Sequence, residues 1–481
     1  MRVPALNIIA RLREAGHVAY LAGGCVRDRL LDVTPQDHDV ATDATPTQVR
    51  RLFRRTQSVG ESFGVVLVDA PPTPSFTPPL IAPLDPPRES RSPASIDRAA
   101  DATPTPDAEP SKWPRFVTVE VATFRTDGTY SDGRRPDGVS FSDPAHDAQR
   151  RDFTVNALFE DPGELSTQVS LAPRGSRPPD PIGSGRGPVA EWCRLPDGSM
   201  VIDYVGGLAD LETRTLRAVG EPGRRFAEDY LRMIRAVRFA SRLDFELDPA
   251  TAGAIRDHGA KLADVARERL GQEVRRILTG PRVGQALQLL EQLGLIAPLL
   301  GEAESMSWPA ALHDRLEAAG DVPTRLAAWW LDLRPDTDPA RVRQWRQALA
   351  LSNDETAALR RTLEIVGVMM DPAAWEARSV AGRKRLLADA RGPQALLLQR
   401  VARRAPDAPE VPDRSTEAQA LADDGVGLAP RPLLDGAALI AAGLRPGPRF
   451  RTLLDRAYDR QLEGRITSAD EALAWALSQE V

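Results

Sequence analysis

Thiol chemistry has little to work with in this chain. Among 481 residues there are two cysteines, Cys25 and Cys193. They cannot build a disulfide framework, and neither stands in metal-ligand spacing. Cys25 follows a Gly-Gly pair directly and reads as a small packed side chain, not a nucleophile. Histidine is scarce too. His17, His38, His146, His258 and His313 do not form the His-Asp constellation of a metal phosphohydrolase, and the pair His313–Asp314 is isolated. Lysine is nearly absent: Lys112, Lys261 and Lys384 stand among 62 basic residues, and the rest are Arg. Arginine forks suit phosphates and base edges better than lysine point charges do. No apolar run reaches the length of a membrane span. The opening MRVPALNIIARLREAG reads as an amphipathic helix without the apolar core or cleavage site of a signal peptide, so a cytoplasmic location with no membrane partner is expected. Surplus positive charge is lacking as well. The net charge is −6, and the chain does not end in a basic tail. This balance does not exclude a locally basic surface for nucleic acid.

What is present is a long chain of ordinary soluble composition, 42% hydrophobic and 27% charged. It is too long for one core and should divide into three or four modules. Residues 1–69 and 115–160 read as one α/β region. A helix over Pro4–Ala15 leads to a strand near Val18–Ala22, and a further helix follows at Thr47–Arg54. Val65–Asp69 and Phe116–Thr123 have the apolar, β-branched pattern of paired strands. Between them, Ala70–Pro114 is rich in Pro, Ser and Asp and poor in large apolar residues. It is expected to be a disordered insertion. A second such stretch covers Gly163–Pro188. From Val201 onward the pattern is almost wholly helical. Amphipathic segments fall at Arg225–Arg242, Ala252–His258, Arg267–Leu278, Val283–Leu293, Arg325–Leu333, Arg341–Leu349, Asp354–Met370, Arg383–Arg403, Gly436–Ala442, Arg449–Glu463 and Ala469–Ser478. The fold class is therefore α+β: a head with a mixed β-sheet and helices, then an elongated all-helical region. A linker is expected near Ala405–Arg414.

The chemistry concentrates in LAGGCVRDRLLDVTPQDHDVATDATP (Leu21–Pro46). Asp37 and Asp39 are separated by one residue, so on a strand both would point to one face. Such a pair is an oxygen-ligand site suited to Mg²⁺, which keeps waters and shares its shell with substrate phosphates. The Gly-Gly turn lets backbone N–H groups approach a phosphate closely. His38 would face away from the pair and pack. In RFVTVEVATFR, strand alternation sets Thr118, Glu120 and Ala122 on one face, which makes Glu120 a third carboxylate candidate.

These segments resemble the head signature of the class II tRNA nucleotidyltransferase and bacterial poly(A) polymerase family. The resemblance continues in GESFGVV (Gly60, Ser62, Phe63, Gly64), in the loop FRTDGTYSDGRRPDGVSF with Arg134–Arg135, and in QRRDFTVNAL. It extends through VIDYVGGLADLETRTLRAVGEP and RRFAEDYLRMIRAVRF to Glu268, Arg269 and Glu273. It implies a nucleotidyltransferase head over 1–160 with an insertion at about 70–114, a Pro/Gly-rich insertion over 161–200, a base-recognising neck over 201–280, a body over 281–404 and a tRNA-binding tail over 405–481. Asp37, Asp39 and Glu120 would be catalytic, with Asp37 and Asp39 holding two Mg²⁺ ions for an in-line transfer. Gly24, Arg27, Arg151, Asp229, Arg232, Arg235 and Arg238 would bind the nucleotide. Asp203 and Asp210 read as structural.

On one helical face, Asp229 and Arg232 would form a base reader. Cytosine and adenine each offer a ring acceptor beside an amine donor, which suits Arg plus Asp. Uracil and guanine present the reverse and leave buried groups unpaired, at a cost of about 1–3 kcal/mol each. The substrates implied are CTP, ATP and the 3′ end of tRNA, gripped at its acceptor–T arm by the segment around GLRPGPRF, in a monomer or homodimer. A poly(A) polymerase, or the A-adding half of a split system, would carry the same catalytic residues, and both readings stay open here. The intact Asp and Arg sets argue against a non-enzymatic RNA-binding protein.

Overall fold

The computed structural model describes residues 2–58, 63–71, 116–128, 130, 136, 138–163, 191–301, 320–333, 339–402 and 411–479. Most of the two expected insertions, Gly60 and Ser62, Arg134–Arg135, His313–Asp314 and most of the expected linker lie outside them. The chain forms two compact units, Met1–Asp229 and Tyr230–Val481.

Among the described residues, the first unit is built on one eight-stranded sheet. Its strands are β1 (Ala19–Ala22), β2 (Asp39–Thr42), β3 (Thr56–Ser58), β4 (Val65–Ala70), β5 (Val117–Thr123), β8 (Phe159–Asp161), β9 (Glu191–Arg194) and β10 (Met200–Asp203). They lie in the order β3-β4-β5-β2-β1-β8-β10-β9. A separate hairpin pairs β6 (Arg125–Asp127) with β7 (Val139–Phe141). Within the main sheet, β2 and β5 run parallel and the other pairs antiparallel. The expected pairing of β4 with β5 is present, in the register Leu67↔Glu120. Helix α1 (Arg2–Glu14) buries Ala5, Ile8, Ile9 and Leu12, the stripe of an amphipathic helix laid on a sheet. The other sheet face carries a core of Ala22, Ala41, Phe124, Phe159 and Ile202, with the Tyr20 and Tyr204 rings packed against it. Phe124 and Phe159 meet edge to face at 5.9 Å.

Sheet pairing continues past residue 160. β9 and β10 form a hairpin at the sheet edge, with Leu195 N–H donating to the Ser199 carbonyl at 2.8 Å and Gly198 at φ +87°. The expected Pro/Gly-rich stretch thus ends in two strands. After β10, buried Asp203 ties down the following turn by accepting from Val205, Gly206 and Leu208 N–H groups. Buried Asp210 accepts from the Thr154 hydroxyl at 2.7 Å and pairs with Arg217. The structural reading of both carboxylates therefore holds.

Among its described residues, the second unit is helices and connecting turns apart from the short strand Glu246–Leu247. It begins with the helix Leu231–Leu243 and continues through the long helix Asn353–Met370, which a Ser352–Glu355 capping box opens. Buried Trp345 packs against Trp329 and Trp330, with ring centroids 5.2 and 5.0 Å away. Gly271 marks a close approach, since a Cβ there would stand 1.9 Å from the Leu349 carbonyl oxygen. The segment expected as one helix over Arg383–Arg403 is two, Val380–Ala388 and Gly392–Ala402, which meet at a turn where Gly392 is packed against the Leu387 carbonyl. At the chain's end, Leu439, Leu444, Ala457, Ile466 and Ala476 close a small separate core.

Gly207 carries the sharpest steric demand of the first unit. A Cβ there would stand 2.3 Å from the Thr154 carbonyl oxygen, which is backbone and cannot yield cheaply. Gly207→Ala should destabilise the first unit by about 1–3 kcal/mol, read in chemical denaturation. An unchanged midpoint would show that the two segments separate freely.

Candidate active site

Asp39 opens β2, and Asp37 lies two residues ahead of it, outside the strand and exposed. The expectation of one strand carrying both carboxylates is thus corrected. The strand begins only at the second, where pairing with β1 starts at Ala22↔Asp39. On the other side, β2 and β5 pair in parallel with Val40↔Val121 and Ala41↔Ala122. Stepping back one residue along that register sets Asp39 beside Glu120, and alternation turns both to the same face. β5 is buried at Val119, Val121 and Thr123, while Glu120 keeps contact with solvent.

This crowding changes how the acids ionise. Burial, then the charges of Glu120 and Asp37, push Asp39 up to about 7, against the pull of Arg151. Loss of hydration and the charge of Asp37 likewise raise Glu120, while Arg151, Arg125 and Arg150 oppose the rise. Neighbouring side chains stay inert. Burial pushes the Cys25 thiol up to about 12, so it is no nucleophile near neutrality. Burial lowers His38 to about 4, and among the described residues its Nδ1 has no hydrogen-bond partner.

The Gly-Gly turn stands beside these acids. Gly23 adopts φ +78° and precedes α2 (Gly24–Leu30). A Cβ at Gly23 would lie 2.9 Å from Nη1 of Arg151, so glycine is what lets the guanidinium pass. Arg27 turns inward and is only 2% exposed. Its guanidinium donates to Asp28 and to Oδ1 of Asn156. Asn156 in turn donates to Asp152 at 3.1 Å. The two glycine and arginine motifs, far apart in sequence, are thus joined through one buried amide.

Arg151 is held by Asp147, with Nη2 3.0 Å from the carboxylate, and by the Asn156 carbonyl at 3.1 Å. It also lies over the Phe159 ring at 4.9 Å. Asp147 was not among the sequence candidates. Its available signal was a carboxylate three and four residues before an Arg-Arg pair at the end of a short helix.

The motif expected to read the base has a different geometry from the one expected. The segment Arg225–Arg242 is two helices, Pro222–Glu228 and Leu231–Leu243. Asp229 stands between them in extended conformation, φ −156° and ψ 103°. Asp229 and Arg232 therefore do not share one continuous helical face. Within the second helix, Arg238 is largely buried, donates to Glu273 at 2.6 Å and lies 4.1 Å from the Phe239 ring. Arg235 is 4.0 Å from the same Glu273 and 5.3 Å from the same ring. Buried Glu273 lies on the helix Arg267–Leu278, where it also accepts from Arg276, so its bond from Arg238 ties the two helices together.

Among the described residues no group of three or more His, Cys, Asp and Glu is gathered as a metal cage. Asp37 and Asp39 form an open acidic pair beside Glu120, next to a glycine turn that an arginine approaches. Such a set on a mixed sheet is what the resemblance to a nucleotidyltransferase head implies.

Comparison with known proteins agrees. Residues 19–72 and 108–169 match the poly A polymerase head domain, and residues 244–306 match a probable RNA- and SrmB-binding site of polymerase A. The chain is 31% identical over 468 residues to the CCA-adding enzyme of Lacticaseibacillus paracasei, covering 96% of this chain and 92% of that protein. In structure it resembles the Bacillus stearothermophilus CCA-adding enzyme solved with CTP, with a TM-score of 0.65 at 25% identity over 99% of this chain and 96% of that one. It shares its fold with the Thermotoga maritima CCA-adding enzyme solved with tRNA, with a TM-score of 0.60 at 16% identity over 98% and 94% of the two chains. The chain belongs to the CCA-adding enzyme family of tRNA nucleotidyltransferases. Among the described residues no helix is long and apolar enough to cross a membrane.

The raised Asp39 sets a sign for pH. A carboxyl that binds its proton more tightly folded than unfolded favours folding at low pH, and this contribution is lost as pH rises through the folded value. For Asp39 the loss runs from about 4 to about 7. In metal-free protein, Asp39→Asn should raise Tm at pH 8 by roughly 2–4 °C and have little effect at pH 5. Equal effects at both pH values would contradict the crowding.

Proposed function

We propose that this chain builds and repairs the 3′-terminal CCA of tRNA from CTP and ATP, without a nucleic-acid template and with release of pyrophosphate. The observation that carries the reading is the shared face of β2 and β5, which sets Asp39 beside Glu120 with the charge of Asp37 acting on both. Such a set fits a divalent cation, because burial and the charges of Glu120 and Asp37 hold Asp39 near 7 even against the pull of Arg151. The all-oxygen donors favour Mg²⁺, and Asp37 and Asp39 would hold two such ions. When bound, the ions would help ionise the attacking 3′-hydroxyl and offset charge on the departing pyrophosphate in an in-line displacement.

The rest of the reading assigns the chain's own groups. Glu120 completes the acid set. Gly24 and Arg151 bind the incoming nucleotide. Arg27, committed to Asp28 and Asn156, serves the nucleotide site by holding the turn. Asp229 accepts from the exocyclic amine of C or A, and Arg232 donates to the ring nitrogen. The extended backbone at Asp229 frees its side chain from helical direction. Arg235 is assigned to the triphosphate, and Arg238, through Glu273, keeps that helix in place. In the tail, exposed Arg445, Arg449 and Arg451 flank Gly447 and suit the phosphates of the acceptor–T arm.

The test uses tRNA ending at the discriminator base, with Mg²⁺ and each nucleoside triphosphate singly and together. Two C, then one A, then arrest is the expected result. Long A tracts on unrelated RNA would make the chain a poly(A) polymerase, and A alone on CC-ended tRNA would make it half of a split system. Asp39→Ala should lower turnover by roughly 10³-fold with tRNA binding retained in a filter assay, and near-wild-type turnover would refute the acid assignment. Arg232→Ala should cut discrimination against UTP and GTP by about 10- to 100-fold, and unchanged selectivity would refute base reading.

A further inference from the structure

The geometry points to Asp147 as a positioning residue that orients Arg151 for the incoming nucleotide, an inference that rests on the nucleotide role assigned to Arg151 above. Asp147 lies on the helix Pro144–Gln149 and is 1% exposed. One oxygen accepts from Nε and Nη2 of Arg151, at 3.2 and 3.0 Å. The other accepts from Arg150, with Nε at 2.8 Å. One sequestered carboxylate therefore holds two consecutive guanidinium groups, each by a charge-assisted bond.

The remaining contacts of Arg151 leave it little freedom. Its Nη1 donates to the Asn156 carbonyl, its plane lies over Phe159, and Gly23 is bare where Nη1 passes. Arg151 passes Gly23, which follows the Ala22 that pairs with Asp39, and its charge acts on Asp39 and Glu120. Arg150 acts on Glu120 as well. The carboxylate of Asp147 is thus shielded from solvent, and what it fixes is the direction of the cations that border the reacting phosphates. Arginine's planar fork makes that direction matter, because a rotated guanidinium presents its donors elsewhere.

The experiment measures steady-state kinetics of CCA addition for Asp147→Asn, Arg151→Gln and the double variant, with melting curves of each. Asp147→Asn keeps the shape but loses the charge and one acceptor. It should raise KM for CTP and ATP about tenfold while KM for tRNA stays within about twofold of wild type. The double variant should be no worse than Arg151→Gln, because Asp147 acts through that arginine. Multiplicative effects in the double variant, or a loss of kcat with nucleotide KM unchanged, would overturn the inference. If Asp147→Asn does not fold, Asp147→Glu keeps the charge and shifts the carboxylate by one methylene. It should raise nucleotide KM by a smaller factor, and a wild-type KM in folded Asp147→Glu would overturn the inference. A wild-type nucleotide KM in Arg151→Gln would instead overturn the role given to Arg151 itself.

Discussion

Like charge held together is the constraint on which this structure turns. The parallel pairing of β2 with β5 sets Asp39 beside Glu120 on one sheet face, and Asp37 adds its field from just outside the strand. Folding gains nothing from that arrangement. Burial and repulsion together raise Asp39 to about 7, which is a cost that a cation or proton must offset. A site that is unfavourable when empty is poised to bind what neutralises it. The acids are there because the register of a well-packed sheet leaves them no other place.

The cations around the acids are arranged by a second set of buried groups. Arg151, Arg150 and Arg27 all come from sequence motifs associated with nucleotide handling, yet each has its guanidinium tied within the protein. Asp147 holds the first two, and Asp28 and Asn156 hold the third. Asn156 also receives Arg151 on its carbonyl and donates to Asp152, so one residue joins the glycine turn to the segment after the helix Pro144–Gln149. In the helical unit Glu273 plays the same part for Arg235, Arg238 and Arg276. Rigid direction is the common result, and it is what recognition of a planar base or a tetrahedral phosphate requires.

Much of this was legible in the sequence where period and chemistry were local. The alternation in VTVEVAT assigned Glu120 to its face, and the β-branched runs identified β4 and β5 as partners across a long insertion. Four features escaped for physical reasons. The break at Asp229 has no Gly or Pro to mark it, and AEDYLRM reads as continuous helix because each residue tolerates one. The hairpin of β9 and β10 was hidden in a Pro/Gly-rich stretch, although LPDGS is a turn sequence between two short apolar segments. The burial of Arg27 and the grip of Asp147 depend on partners. A charged residue beside a glycine pair reads as a ligand contact until the fold supplies Asn156, and a lone Asp before Arg-Arg reads as a surface ion pair until the sheet covers it.

The central claim is that the acids on β2 and β5 are held in repulsion and relieved by a divalent cation. Calorimetric titration of the metal-free protein with Mn²⁺ in buffers of different ionisation enthalpy counts the protons released on binding. The account expects release of close to one proton at about pH 6, falling towards none by about pH 8.5, with the release lost in Asp39→Asn. Binding with no proton release at either pH, or undiminished release in that variant, would contradict it.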